Sequence, residues 1–263
     1  MRAVLTVVRK ELTGLFASPI AYIALTAMAL SMSLFFLDNL KAFNTQIMLL
    51  QTRTAFNQIG AGVLPPGLNL FEQVLLPTVT ETALVLLAVI PLITMGMFCE
   101  ERTRRTDELL LTLPLSDTQV AAGKFLATFV FLIAVVAITA LLPAISAAHT
   151  GLDPGPILAS LLGLLLLSFA LASLGLLCSA LATNQLVAAL SAYAVSMAIL
   201  DFSWLMEFTG NAADRVLQFL SLMTHMASFP RGVISLVDIV YFMGLCLGGF
   251  LLARVSLALE RIT

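Results

Sequence analysis

A chain of 263 residues in which 60% of side chains are apolar and 11% are charged lies far outside the soluble class, where about 25% of residues carry charge. With a mean hydropathy of +1.05, a soluble fold of this size leaves too much surface in water to hide its apolar content. A formal net charge of −2 offers no basic footprint for nucleic acid, and the apolar excess excludes a disordered chain; the composition is that of an integral membrane protein.

Residues 1–18 open the chain with a helical pattern. Val4, Leu5, Val8, Leu12, Leu15 and Phe16 fall on one stripe, with Arg2, Arg9, Lys10 and Thr13 elsewhere. This predicts an amphipathic helix lying along the headgroup boundary, ended by Pro19; a plain positive flank for the first span is the alternative. A secretory signal peptide is disfavoured, because the first apolar run, Ile20–Leu37, is 18 residues long and no small-x-small site follows it.

A bilayer core about 30 Å thick takes about 20 apolar residues per helix, and the charge-sparse runs give six spans. They fall near 20–37, 74–98, 125–148, 157–182, 186–205 and 233–257, within one transmembrane domain covering 1–263. The uncharged run Ile157–Leu200 is too long for one crossing, so Thr183-Asn184-Gln185 is expected as a tight hairpin between two spans. Nine Lys/Arg (Arg2, Arg9, Lys10, Arg102, Arg104, Arg105, Lys124, Arg254 and Arg261) fall on the side of the termini. Four (Lys41, Arg53, Arg215 and Arg231) fall on the other, so both termini are expected in the cytoplasm.

Two segments are expected on the outer side. In the first, 38–73, the amphipathic piece Ile47–Ile59 precedes Pro65-Pro66-Gly67, either as a surface helix for a periplasmic or lipoprotein partner or as a simple connector. The second, Asp201–Gly232, carries Asp201, Glu207, Asp214, Arg215 and Arg231, with apolar pieces expected to dip into the outer leaflet. Glu81 is the clearest intramembrane carboxylate; it either snorkels to the outer interface or lines the mouth of a dimer. In the last span, Gly244-Leu245-Cys246-Leu247-Gly248 is a G-x-x-x-G expected to pack within the chain.

Residues 100–124 hold nine charges of both signs: Glu100, Glu101, Arg102, Arg104, Arg105, Asp107, Glu108, Asp117 and Lys124. Thr103–Leu113 reads as a short helix with an apolar edge of Leu109, Leu110 and Leu113 and a polar edge of Glu101, Arg105 and Glu108. Pro114 stops it, and Ser116-Asp117-Thr118-Gln119 is an S-x-x-Q capping box starting the next helix. Such a helix across the membrane face suits transmission of motion from a soluble partner; an ordinary polar loop is the competing reading.

Cys99, Cys178 and Cys246 are scattered and odd in number, so they predict neither disulfide nor metal site and read as small core residues. His149 and His225 stand without a second ligand type nearby. No Walker-type, G-x-S-x-G or H-E-x-x-H pattern occurs. No catalytic residue, cofactor or metal is expected in this chain.

The run Ile90-Pro91-Leu92-Ile93-Thr94-Met95, then Glu100-Glu101-Arg102, Asp107-Glu108-Leu109-Leu110-Leu111-Thr112-Leu113-Pro114-Leu115-Ser116 and Gly123-Lys124-Phe125 resembles the ABC-2 class of ABC transporter permeases. The resemblance is strongest to the branch containing the gliding-motility-associated permease. Phe229-Pro230-Arg231-Gly232-Val233-Ile234, leading through Asp238 to Tyr241-Phe242, is a second match. The resemblance implies an all-α, type V exporter-like fold: an elbow helix, six spans and a cytoplasmic coupling helix within 100–118, in the bacterial inner membrane. It further implies a homo- or heterodimer of permeases with two copies of an ATPase subunit that carry ATP and Mg²⁺. The residues placed against that ATPase are Glu100, Glu101, Arg102, Arg105, Thr106, Glu108, Leu109 and Pro114. Where the family has Gly before the Thr, this chain has Arg105, which cannot make the same tight turn and is a candidate ion-pair partner. The function implied is ATP-driven export, with force transmission to envelope proteins as the alternative. An ion-coupled secondary transporter is a remote third reading, since neither inverted repeats nor broken, charged helices are evident.

Overall fold

The computed structural model describes residues 2–57, 70–103, 116–150, 153–200 and 211–260. Among these residues every element is helical. The chain opens with α1 (Arg2–Ala17) and, after Ser18, α2 (Pro19–Asn57); the break falls at Pro19, whose missing N–H is harmless only in a first turn. The helix that starts the expected first span does not stop at Asp38. It continues for 39 residues in all, about 58 Å at 1.5 Å per residue, so the expected surface piece from Ile47 is the far end of the same rod.

A π-helical turn, Phe71–Leu75, leads into α3 (Leu76–Thr94). Leu76 N–H bonds to Phe71 O, one residue further back than in an α-helix. Pro77 next to it has no N–H to give, and the widened turn absorbs that loss. Pro91 lies inside α3, and four residues later the helix breaks at Met95 before resuming as α4 (Gly96–Thr103). Then follow α5 (Asp117–Thr139) and α6 (Leu141–Thr150), interrupted at Ala140 where Pro143 withholds its N–H.

The two central helices are α7 (Pro154–Leu181) and α8 (Gln185–Leu200), joined by the tight hairpin expected from Thr183-Asn184. Asn184 caps α8 by accepting from Val187 N–H at 2.9 Å. After α9 (Asn211–Leu220) and α10 (Leu222–Met226), a 3₁₀ turn at Phe229–Arg231 delivers the chain to α11 (Leu236–Glu260).

Among the described residues, five helical segments are long and apolar enough to cross a membrane: Pro19–Thr52, Phe71–Glu101, Asp117–His149, Pro154–Leu181 and Leu236–Leu259. The fifth expected span, 186–205, corresponds to Gln185–Leu200, apolar but 16 residues long within the described part. The bundle packs around α7, which is uncharged throughout. Phe131, Leu164, Leu167, Leu171 and Phe242 form part of its main core. Leu5, Ile23, Leu34, Leu190 and Leu251 on the outer faces are exposed apolar groups, suited to lipid.

The close approach of α11 to α7 runs through Gly249. A Cβ added there would stand 2.9 Å from the backbone oxygen of Ser173, which real Cβ atoms do not tolerate. Ser173 Oγ meanwhile donates to Leu245 O at 3.1 Å. Gly244 and Gly248, the expected packing pair, have nothing within 4 Å of a built Cβ. The G-x-x-x-G therefore does not pack inside the chain: Gly249, one residue on, lies on the facing side of the helix. Gly249→Val is expected to destabilise the protein in detergent micelles by about 1–3 kcal/mol through overpacking, and Gly244→Val by less than about 0.5 kcal/mol. Paired thermal unfolding curves check the contrast.

Candidate functional site

Lys124 lies in the second turn of α5 with only 1% of its side chain exposed. An ammonium taken out of water needs its three hydrogens accepted, and three groups accept them. Glu11 Oε1 of α1 is at 3.2 Å, Glu101 Oε2 of α4 is at 2.9 Å, and Met97 O of α4 is the third. The charge also sits 5.1 Å from the Phe98 ring centroid, where the negative face of the ring attracts it. Lys10, on the rim with 61% of its side chain exposed, closes the group at 2.7 Å from Glu101 Oε1 and 3.4 Å from Glu11 Oε1. Burial works to lower the Lys10 pKa, but its hydrogen bond to Glu101 and the charges of Glu101 and Glu11 outweigh burial and hold it above the usual 10.5.

Two lysines and two glutamates thus join three elements. One is α1; the others are α4 and α5, which flank residues 104–115. The capping box expected at the start of α5 is formed: Ser116 Oγ accepts from Gln119 N–H at 3.4 Å, and Gln119 Oε1 accepts from Ser116 N–H at 3.3 Å. On the other flank, the α3/α4 break leaves backbone groups that Ser179 of α7 satisfies. Its hydroxyl accepts from Phe98 N–H at 3.1 Å and Cys99 N–H at 3.4 Å, and donates to Met95 O at 2.9 Å. Beneath lies a cluster of Met97, Phe98, Phe125, Leu176 and Ala253, so the end of α11 reaches the same place. Val7 seats α1 on α5 at Gly123, where a Cβ would stand 2.5 Å from Val7 Cγ1.

The expected residues divide into three groups. Glu101 faces inward into the ion-pair junction. Glu100 is exposed and, with Gln185, borders a cavity of about 520 Å³ between the α1/α2 elbow and the α3/α4 break. Arg102 lies on α4, within the described backbone; Arg105, Thr106, Glu108, Leu109 and Pro114 lie outside the described residues. Glu81 belongs elsewhere: on α3, half-buried, it accepts from Asn39 Nδ2 at 3.0 Å, and the same amide donates to Thr78 Oγ1 at 3.2 Å. Sequence reading did not find the roles of Lys10, Glu11, Lys124 and Ser179; Lys124 stood there as the last charge of the segment 100–124.

The family model for ABC-2 family transporter proteins matches residues 67–252, more than half of the chain. The chain belongs to the ABC-2 transporter family. No curated protein matches it. It is accordingly a multi-pass membrane protein, and membership of this family implies an ATPase partner in an ABC transporter. The matched region includes the α3/α4 break, Lys124, α7 and α8, and most of α11.

Removing Lys124 leaves Glu11 and Glu101 without their buried cation and with only the exposed Lys10 at the rim, so Lys124→Met is expected to cost about 3–5 kcal/mol. Lys10→Met, at the exposed rim, is expected to cost less than about 1 kcal/mol. Ser179→Ala orphans two buried N–H groups and is expected to cost about 1–3 kcal/mol. Unfolding of the purified protein in lipid nanodiscs gives all three values.

Proposed function

We propose that this chain is the permease subunit of an ATP-driven exporter, and that a separate ATPase grips residues 100–118 from the cytoplasm. The observation that carries the reading is the ion-pair junction of Lys10, Glu11, Glu101 and Lys124. It fixes α4 and α5, on either side of 104–115, to each other and to α1. A segment anchored rigidly at both flanks passes a push from outside into the bundle rather than dissipating it. Thr106, Glu108 and Leu109 are the contacts we assign to the ATPase, with Arg105 as an added ion-pair partner and Pro114 ending the gripped helix. Glu100 and Arg102 complete that surface.

In this reading Gln185–Leu200 forms the core of a sixth span, α1 is the elbow helix, and both termini are cytoplasmic in a bacterial inner membrane. Two permeases, identical or not, pair with two ATPase subunits that bind ATP and Mg²⁺. The branch is that of the gliding-motility-associated permease, on the motifs from Ile90 to Phe125. Export across the inner membrane is the activity assigned.

A second reading, force transmission to envelope proteins, is favoured by the length of α2. Its 39 residues exceed the roughly 20 that a bilayer requires, leaving a helical overhang with exposed Met48 and Leu49 at the end opposite the junction. That overhang is a place for a periplasmic or lipoprotein partner to push against or be pushed by.

Leu109→Asp and Glu108→Lys are each expected to weaken ATPase docking about tenfold or more, the loss of roughly 2 kcal/mol typical of an interface hot spot. Thermal stability should be unchanged. The readout is ATP hydrolysis by the reconstituted complex against the ATPase alone. Hydrolysis indifferent to both substitutions removes the coupling assignment.

A further inference from the structure

The cavity of about 520 Å³ between the α1/α2 turn and the α3/α4 break falls within the roughly 300–1,000 Å³ of small-molecule sites. Two glycines keep it open. A Cβ built on Gly14 meets nothing within 4 Å, and one built on Gly96 would stand 3.6 Å from Glu100 Oε2 and 3.7 Å from Gln185 Nε2. The carboxylate of α4 and the amide at the start of α8 therefore converge over a position that has no side chain of its own.

One side of the cavity is apolar. Ala21, Ile93 and Met97 are buried beneath it, while Ile20 and Leu92 at its edge are 40% and 50% exposed. Ile20 stands at the start of the membrane-length helix Pro19–Thr52 and Leu92 in the last third of Phe71–Glu101, so this edge opens to lipid near the boundary of the bilayer. The other side is polar and electronegative. The carboxylates of Glu11 and Glu100 line it, and so does the last turn of α1, which holds no basic residue. Ile20 N–H and Ala21 N–H, which in a continuing helix serve the carbonyls of Phe16 and Ala17, bond instead to Ser18 Oγ and Ser18 O, both at 3.3 Å. The negative end of the helix dipole is thus presented there. Among the described residues no Lys, Arg or His lines the cavity. Lys10 and Lys124 reach Glu11 at 3.4 and 3.2 Å but are shared with Glu101 at 2.7 and 2.9 Å, so that junction is neutral in sum and Glu100 adds a further carboxylate.

We propose that this cavity binds a lipophilic organic cation drawn from the membrane. Its apolar body rests on Ile93 and Met97, and its positive charge lies toward Glu100 and the end of α1. A neutral molecule gains the apolar floor alone. An anion of the same shape gains that floor but meets carboxylates and a helix C-terminus, so the site discriminates by charge sign. The occupant enters sideways past Ile20 and Leu92, because lipid already holds such a molecule at this depth, apolar part inward and charge at the boundary.

Binding of radiolabelled tetraphenylphosphonium to the full chain in phosphatidylcholine nanodiscs tests the site, with empty nanodiscs as the blank for partition into lipid. Tetraphenylborate, equal in shape and opposite in charge, is the comparison. The cation is expected to bind saturably and at least about tenfold more tightly than the anion. Glu100→Lys, a change at an exposed position, is expected to weaken cation binding about tenfold or more by reversing the charge at the polar side. Gly14→Phe, which places a ring in the open space, is expected to abolish it. Absence of saturable cation binding, equal binding of the two ions, or cation binding unchanged by either substitution overturns the proposal. The measurement uses this chain alone, without an ATPase, so the site and the permease assignment stand or fall separately.

Discussion

A lysine ammonium held away from water is tolerable only when each of its hydrogens has an acceptor. Lys124 meets that demand with groups from α1 and α4 while standing on α5 itself. The organisation of the whole end of the bundle follows from this requirement. It holds α1 across the bundle and brings the broken end of α3/α4 beside the start of α5. A leucine at that position packs as well but orients nothing, since dispersion contacts have no direction. The ion pairs supply register more than stability, because buried charge pairs win back little beyond their desolvation cost.

The backbone break at Met95 serves the same constraint. Regular bonding of α3 runs on past Pro91 to Thr94 and then stops, and Ser179 takes over Phe98 N–H, Cys99 N–H and Met95 O at the turn. Just beyond the turn, Met97 O accepts from Lys124. Two polar side chains, Ser179 on α7 and Lys124 on α5, therefore hold the chain on both sides of one discontinuity. From this end to the opposite end of the bundle run α7 and α11, in direct backbone contact at Gly249 and Ser173.

Features set by neighbours along the chain were legible in the sequence. The helix break before Pro19, the Ser116–Gln119 capping box and the hairpin at Asn184 each depend on residues within a few positions of one another, and each is present. Contacts between distant residues were not. Lys124 meets Glu11 across 113 positions and Met97 across 27, and no periodicity encodes such pairings. The stripe on α1 shows the same limit from the other side. Leu5 and Phe16 belong to it yet are exposed, while Val7, off the stripe, is the buried contact. An interfacial helix has lipid as well as protein to satisfy, and an apolar face does not say which it meets. The G-x-x-x-G misled for a related reason: spacing marks a smooth helix face, and only the neighbouring helix decides whether Gly244 or Gly249 is used.

Helix lengths in this bundle are unequal in a way that bears on what it does. Along α2 and along α5 with α6, the helical runs that carry spans reach 34 and 33 residues, against 28 for α7 and 24 for α11. The surplus lies at one end, where Phe36, Phe43, Val74, Leu75 and Ile157 form a separate cluster with Leu142 and Ala147 packed against it. At 1.5 Å per residue every one of these rods exceeds a bilayer core about 30 Å thick, and at the end away from Lys124 they are held together by a small core of their own. A projection with its own core moves as one body when its rods move. A structure built only to open a passage has no need of it, and one that hands motion to a partner outside does. That asymmetry is what keeps force transmission beside export as a reading of the same fold.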